Sequence, residues 1–196
     1  MKTRIFLLTL LCMLAMTLQA QTYPQLWNDV AQAEQKDLPK SVIAKAKEIF
    51  TKAKAERNVP QMMKAYLTMM DARGNISPDS MTLDVQGLEE WASSAQTEVQ
   101  DKAVLNSILG GVCMSEDFTK ANQYLNLSLK DSLKLVDYPA GKLVPLVEVG
   151  ETSRLYFDDN LFDLLARRAI RLWERNQWRS EQENVQLSIR QTYQSL

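Results

Sequence analysis

Apolar residues recur three and four positions apart along nearly the whole chain from Gln21 onward, and short polar or proline breaks interrupt them. A stripe with that period lies along one face of an α-helix, so each segment must bury one side against a neighbour. Tyr23, Leu26, Trp27 and Val30 form the first stripe. Asp37-Leu38-Pro39 breaks it at Asp37 or Leu38, and Pro39 suits a first helical turn. A long helix to about Arg57 follows, burying Val42, Ile43, Ala46, Ile49, Phe50 and Ala53. Asn58-Val59-Pro60 is the next break, and Met62, Met63, Tyr66, Leu67 and Met70 line a third helix.

Residues 74–80, Gly-Asn-Ile-Ser-Pro-Asp-Ser, are the clearest turn-rich stretch. Ser80 is placed to cap a helix that starts at Met81 and carries Leu83, Val85, Leu88, Trp91 and Ala92. Asp101 is placed to cap a fifth, with Ala103, Val104, Leu105, Ile108 and Leu109, which Gly110-Gly111 weakens. A sixth runs from about Asp117 to Leu135. Residues 137–154 hold two prolines and two glycines and read as loop, within which Leu143-Val144-Pro145-Leu146-Val147 admits an extended run. A seventh, Asn160 to about Arg175, buries Leu161, Leu164, Leu165, Ile170 and Trp173, and the tail from Asn184 is polar but helix-compatible.

The expectation is an all-α fold of about seven amphipathic helices, in an α-hairpin array like tetratricopeptide repeats or in an irregular bundle. Ala46, Phe50 and Ala53 have the Ala-x3-Phe-x2-Ala spacing of such a repeat, with Trp27 upstream, but only one copy is visible. The chain divides into 1–20, a hairpin region at 21–73, a linker at 74–80, and a helical region at 81–196 that stands alone or continues the first.

Residues 1–20 have a different character. Lys2 and Arg4 precede an uncharged run from Ile5 to Leu18, and the small Ala20 fits the last position before a cleavage site. That is the three-part pattern of a secretory signal peptide. The run is about 14 residues against the roughly 20 a spanning helix needs, which disfavours the competing reading, an uncleaved anchor. Cys12 lies inside the run rather than at a lipid-attachment position. The expected location is the periplasm or cell envelope, with no membrane span after cleavage. Removing Lys2 and Arg4 leaves 21 of the 23 basic residues against 24 acidic ones, a net charge of −3 that points to no nucleic acid. Cys113 remains as the one cysteine, so no internal disulfide forms.

The chain has no histidine. That removes the commonest general base and metal ligand, and every Ser-His or Cys-His pair. Cys113 reads as a small buried filler. Neither a zinc site nor a phosphate loop can be assembled, and no cofactor is expected. Glu89-Glu90, Asp158-Asp159 and Glu181/Glu183 are carboxylate clusters of the kind a glycosidase uses, although solvated helix faces and caps account for them with less. Lys40, Lys45, Lys47, Lys52, Lys54 and Arg57 make a basic face, most simply a solvated one. A second basic group comprises Arg154, Arg167, Arg168, Arg171, Arg175 and Arg179. Arg167, Arg171 and Arg175 fall four apart and share a face, partly offset by Asp163 and Glu174, and form a candidate docking face for a following domain.

Several stretches, in order, resemble a known family. They are Tyr23-x3-Trp27 after the leader, Asp37-Leu38-Pro39-Lys40-Ser41-Val42-Ile43, Asn58-x-Pro60-Gln61-Met62-x-Lys64-Ala65-Tyr66 and Asp101-Lys102-Ala103-Val104-Leu105. Pro145-Leu146-Val147, Gly150, Ser153-Arg154 and the run from Asn160 to Ile170 continue the series. Together they look like the start of the large alpha-2-macroglobulin-like proteins of Bacteroidetes. The resemblance covers most of the chain after the leader but contains no chemical motif. Members of that family carry β-sandwich macroglobulin domains, a bait stretch cut by proteases and, in some, a Cys-Gly-Glu-Gln thioester. Here Cys113 is followed by Met114-Ser115-Glu116, so no inhibitory residue carries over. The resemblance implies a non-enzymatic scaffold whose partners are downstream macroglobulin-type domains or another envelope protein. The alternative is a free-standing periplasmic module that binds a peptide or protein in a groove lined by Trp27, Tyr66 and Trp91.

Overall fold

The computed structural model describes residues 21–143 and 160–194, with side chains described as far as Ser180. The expected signal peptide at 1–20, Asp158-Asp159, Arg154 and the expected extended run at 144–147 lie outside the described residues, as do the side chains of Glu181 and Glu183. The fold is all-α: α1 Tyr23–Gln35, α2 Pro39–Glu56, α3 Val59–Ile76, α4 Ser80–Ser93, α5 Val99–Cys113, α6 Phe118–Leu129, α7 Ser132–Val136, a 3-10 turn Ala140–Lys142, and α8 Leu161–Gln194. No strand occurs among the described residues; a single antiparallel bridge joins Pro139 to Asn160.

Local chemistry sets the breaks. Thr22 opens α1, and its N–H donates to Gln25 Oε1 at 2.9 Å, the return half of a capping box. Pro39 takes the first position of α2, where its missing N–H costs nothing. Arg57 ends α2 in the left-handed region at φ 54°, and the Asn58 N–H closes back on the Ala53 carbonyl at 2.8 Å. Asp117 caps α6 by accepting from the Lys120 N–H at 2.9 Å, and Asn160 caps α8 by accepting from the Asp163 N–H at 2.9 Å.

Short breaks fold α1 to α6 back on one another as successive hairpins, and α8 then lies across α5, α6 and α7. The first half is array-like; the closing helix makes the second half a bundle. Leu26, Val30, Ala33, Val42 and Ile49 pack with Ala65 and Ala72 of α3. The opposite side of α3 gives Met63 and Met70 to the larger core of Leu88, Leu105, Leu109, Leu135, Leu143, Leu161, Leu164 and Leu165. Phe50, Tyr66 and Trp91 pin α2, α3 and α4 together, with ring centroids 6.3–6.4 Å apart in tilted and edge-on contacts.

Several sequence expectations need correction. The expected linker begins too early, because α3 continues through Gly74 to Ile76 and the break is Ser77–Asp79. Ser80 is inside α4 rather than its cap, and its hydroxyl is buried without a partner. Asp101 lies in the first turn of α5 rather than ahead of it. Gly110-Gly111 does not interrupt α5. A Cβ on Gly110 would sit 2.6 Å from Leu125 Cδ2 and 3.2 Å from the Ala121 carbonyl, so the glycine lets α6 approach closely. The expected sixth helix is two, α6 and α7, parted at Lys130-Asp131. The seventh runs on to Gln194, and Ile170 within it is 50% exposed rather than buried.

Candidate functional site

α8 presents two faces. Leu161, Leu164, Leu165 and Ala169 are buried, and Leu172 and Trp173 continue the contact, with Trp173 Nε1 donating to Asn122 Oδ1 of α6. Arg167, Arg171 and Arg175 are exposed. Arg179 is exposed too, while Arg168 is half-buried with its Nη2 against Gly111. The sequence reading missed that Ile170 and Trp178, exposed by 50% and 64%, share this outward surface. The signal was present: Ile170 and Trp178 stand eight apart, two helical turns in register with the arginines.

The second feature is an open groove of about 670 Å³ between α4, α5 and α6. Glu89, Glu90 and Ser93 come from α4, Lys102, Asn106 and Leu109 from α5, and Tyr124 and Leu127 from α6, and Lys130-Asp131 after α6 completes the lining. Glu89 accepts from the Tyr124 hydroxyl at 2.5 Å and from Lys120 Nζ at 2.8 Å. The Lys120 bond, then the Tyr124 bond, hold the Glu89 carboxyl below its ordinary range. Burial, then the bond to Glu89, push the Tyr124 phenol up to about 12. Glu89 is therefore held ionised as an acceptor, the opposite of what a proton donor to a leaving group requires. Its neighbour Glu90 is exposed.

The three aromatics expected to line one groove do not meet. Tyr66 and Trp91 are packed with Phe50, and the Tyr66 hydroxyl donates to the Asp84 carbonyl at 3.0 Å. Trp27 belongs to the other core, where its Nε1 donates to Gln61 Oε1 at 2.7 Å and Lys64 Nζ lies 4.3 Å from its ring centre. Each ring is used between helices, as bulky half-buried aromatics in a hairpin fold commonly are.

On the lysine-rich face of α2, Lys45 Nζ lies 3.8 Å from Asp29, and Lys52 pairs with Glu56 at 2.7 Å. Lys40, Lys47, Lys54 and Arg57 are exposed. Cys113 is buried, and burial pushes its thiol up, which disfavours the reactive thiolate. Two acids are buried without a sign of it in the sequence reading, which passes over Asp84 and takes Asp101 for a cap. Asp84 is buried and takes two hydrogen bonds from Arg73, one of 3.0 Å from Nε to Oδ2. Asp101 is 6% exposed, and burial followed by Glu98 pushes its carboxyl up to about 6. Among the described residues no group of three or more Cys, Asp or Glu is placed to share an ion, and no helix is long and apolar enough to cross a membrane. Set against protein-family models, curated proteins and solved structures, the chain matches none.

Proposed function

We propose that this chain is a non-enzymatic helical interaction module, exported to the periplasm or cell envelope as the N-terminal segment of an alpha-2-macroglobulin-like protein. In that reading it scaffolds or docks the downstream domains, and protease inhibition belongs to the whole protein. The observation that carries it is α8. Its 34 residues span roughly 50 Å at about 1.5 Å per residue, and among the residues whose side chains are described, as far as Ser180, the buried ones end at Ala169, with Leu172 and Trp173 packed beyond them. From Arg175 to Ser180 its side chains are exposed except Asn176, which is partly covered. A helix packed through Trp173 and mostly exposed from Glu174 to Ser180, with Arg167, Arg171 and Arg175 exposed on it, suits contact with another domain. The ordered sequence resemblance supplies the identity of that domain. An antibody raised against the 171–180 surface tests the reading on envelope fractions. A single species several times heavier than 22.4 kDa that also yields macroglobulin-domain peptides is expected. A species of the chain's own mass, free of such peptides, refutes it.

A second reading is a free-standing peptide- or protein-binding module. The groove between α4, α5 and α6 favours it, since concave surfaces of about this size between helices are where ligands commonly lie.

A further inference from the structure

We propose that the groove between α4, α5 and α6 holds the carboxyl terminus of an extended peptide, with Lys102 and Lys130 receiving the terminal carboxylate. This rests on the second reading above and names its ligand. Topology brings the two lysines to one end: they are nearly equidistant in sequence from the 114–117 turn that folds α6 back on α5, and both line the groove. Ser93 joins them there, at the last turn of α4.

Glu89 is already neutralised by Lys120 and bonded by Tyr124. Neither Lys102 nor Lys130 enters an ion pair among the described residues. Two ammonium groups without an ion pair at one end of a groove suit a carboxylate, which accepts charge-assisted hydrogen bonds from both. Glu90 and Asp131 also line the groove without an ion pair among the described residues. Their presence disfavours a polyanion such as nucleic acid and favours a ligand carrying both signs, with a basic side chain a short way before its terminal carboxylate.

The remaining lining fits a peptide backbone. An extended chain exposes N–H and C=O groups that each need a partner. Asn106 commits its Nδ2 to the Lys102 carbonyl at 2.8 Å and Ser93 gives its hydroxyl proton to the Glu90 carbonyl at 3.1 Å, which leaves the Asn106 amide oxygen and Ser93 Oγ to accept, while Gln86 offers both functions. Leu127, 49% exposed, gives an apolar contact for a ligand side chain.

Titrating ¹⁵N-labelled protein with a random octapeptide pool bearing free carboxyl termini, and with the same pool amidated, tests the proposal. The free-acid pool is expected to shift the amides of Lys102, Asn106, Leu127 and Lys130, and the amidated pool to bind at least tenfold more weakly. Lys102→Gln with Lys130→Gln is expected to cost at least tenfold in affinity while leaving distant amides unmoved. Equal binding of the two pools in the groove overturns the carboxylate assignment and leaves the peptide-binding reading standing. Shifts confined to another surface overturn the groove and leave that reading standing. Absence of shifts with either pool overturns both, and sodium acetate binding as tightly as the free-acid pool overturns the peptide as occupant.

Discussion

Replacing Asp101 with asparagine is expected to stabilise the protein at neutral pH. Asp101 is 6% exposed at the first turn of α5, it has no ion-pair partner among the described residues, and Glu98 adds a like charge nearby. Its carboxyl is pushed up from 3.8 to about 6. Since one pKa unit corresponds to about 1.4 kcal/mol, charging this group in the folded state costs about 3 kcal/mol. The positive end of the α5 dipole already favours the carboxylate by roughly 0.3–1 kcal/mol and offsets part of that, leaving about 2 kcal/mol. The sign follows from proton linkage. The folded state holds the proton more tightly than the unfolded one, so stability is fullest below about pH 4. It falls as pH rises through about 6 and is flat above. Asparagine keeps the shape and never charges. Urea unfolding at pH 7.5 should therefore show Asp101→Asn more stable by about 2 kcal/mol, with the difference vanishing near pH 4. A variant less stable than the parent at pH 7.5, or a difference that persists unchanged in acid, refutes the reasoning.

Arg73→Ala should destabilise by about 2–4 kcal/mol, because it strands the buried Asp84 carboxylate; Asp84→Asn in the same chain should recover part of the loss in a double-mutant cycle. Gly110→Ala should destabilise by about 1–3 kcal/mol in thermal unfolding although alanine is the better helix former, because its Cβ collides with Leu125 and the Ala121 carbonyl. Arg171→Glu with Arg175→Glu should change stability by less than about 0.5 kcal/mol, since both side chains are exposed; a larger loss would place them in the packing of α8.

The helices were legible because their signals are local. Val42, Ala46, Ile49 and Ala53 spell out the buried stripe of α2 with nothing else needed, and Pro39, Asn58 and Asp117 mark real boundaries. What stayed hidden depends on partners distant in sequence. Gly110 reads as a helix breaker until Leu125 is seen against it. Arg73 and Asp84 look like two surface charges on either side of a turn, and only the α3–α4 crossing makes them a buried pair. Asp101 looks like a cap because helix starts favour aspartate, and a shift of three residues in the start of α5 turns it into a buried acid. The outward arginines of α8 could be placed by spacing alone. The groove could not, because Glu89, Lys102 and Lys130 are brought together by two successive hairpins.

The two-faced packing of α3 constrains how the molecule can be taken apart. Ala65 and Ala72 belong to one core, Met63 and Met70 to the other, so cutting the chain at Ser77–Asp79 would leave the amino-terminal piece with its methionines in water and the remainder with a hollow. Either fragment alone is incomplete. Yet Ser77, Pro78 and Asp79 are themselves exposed, and extra residues there would lengthen a loop without disturbing either core. The joint at α3 and α4 tolerates insertion and resists severance.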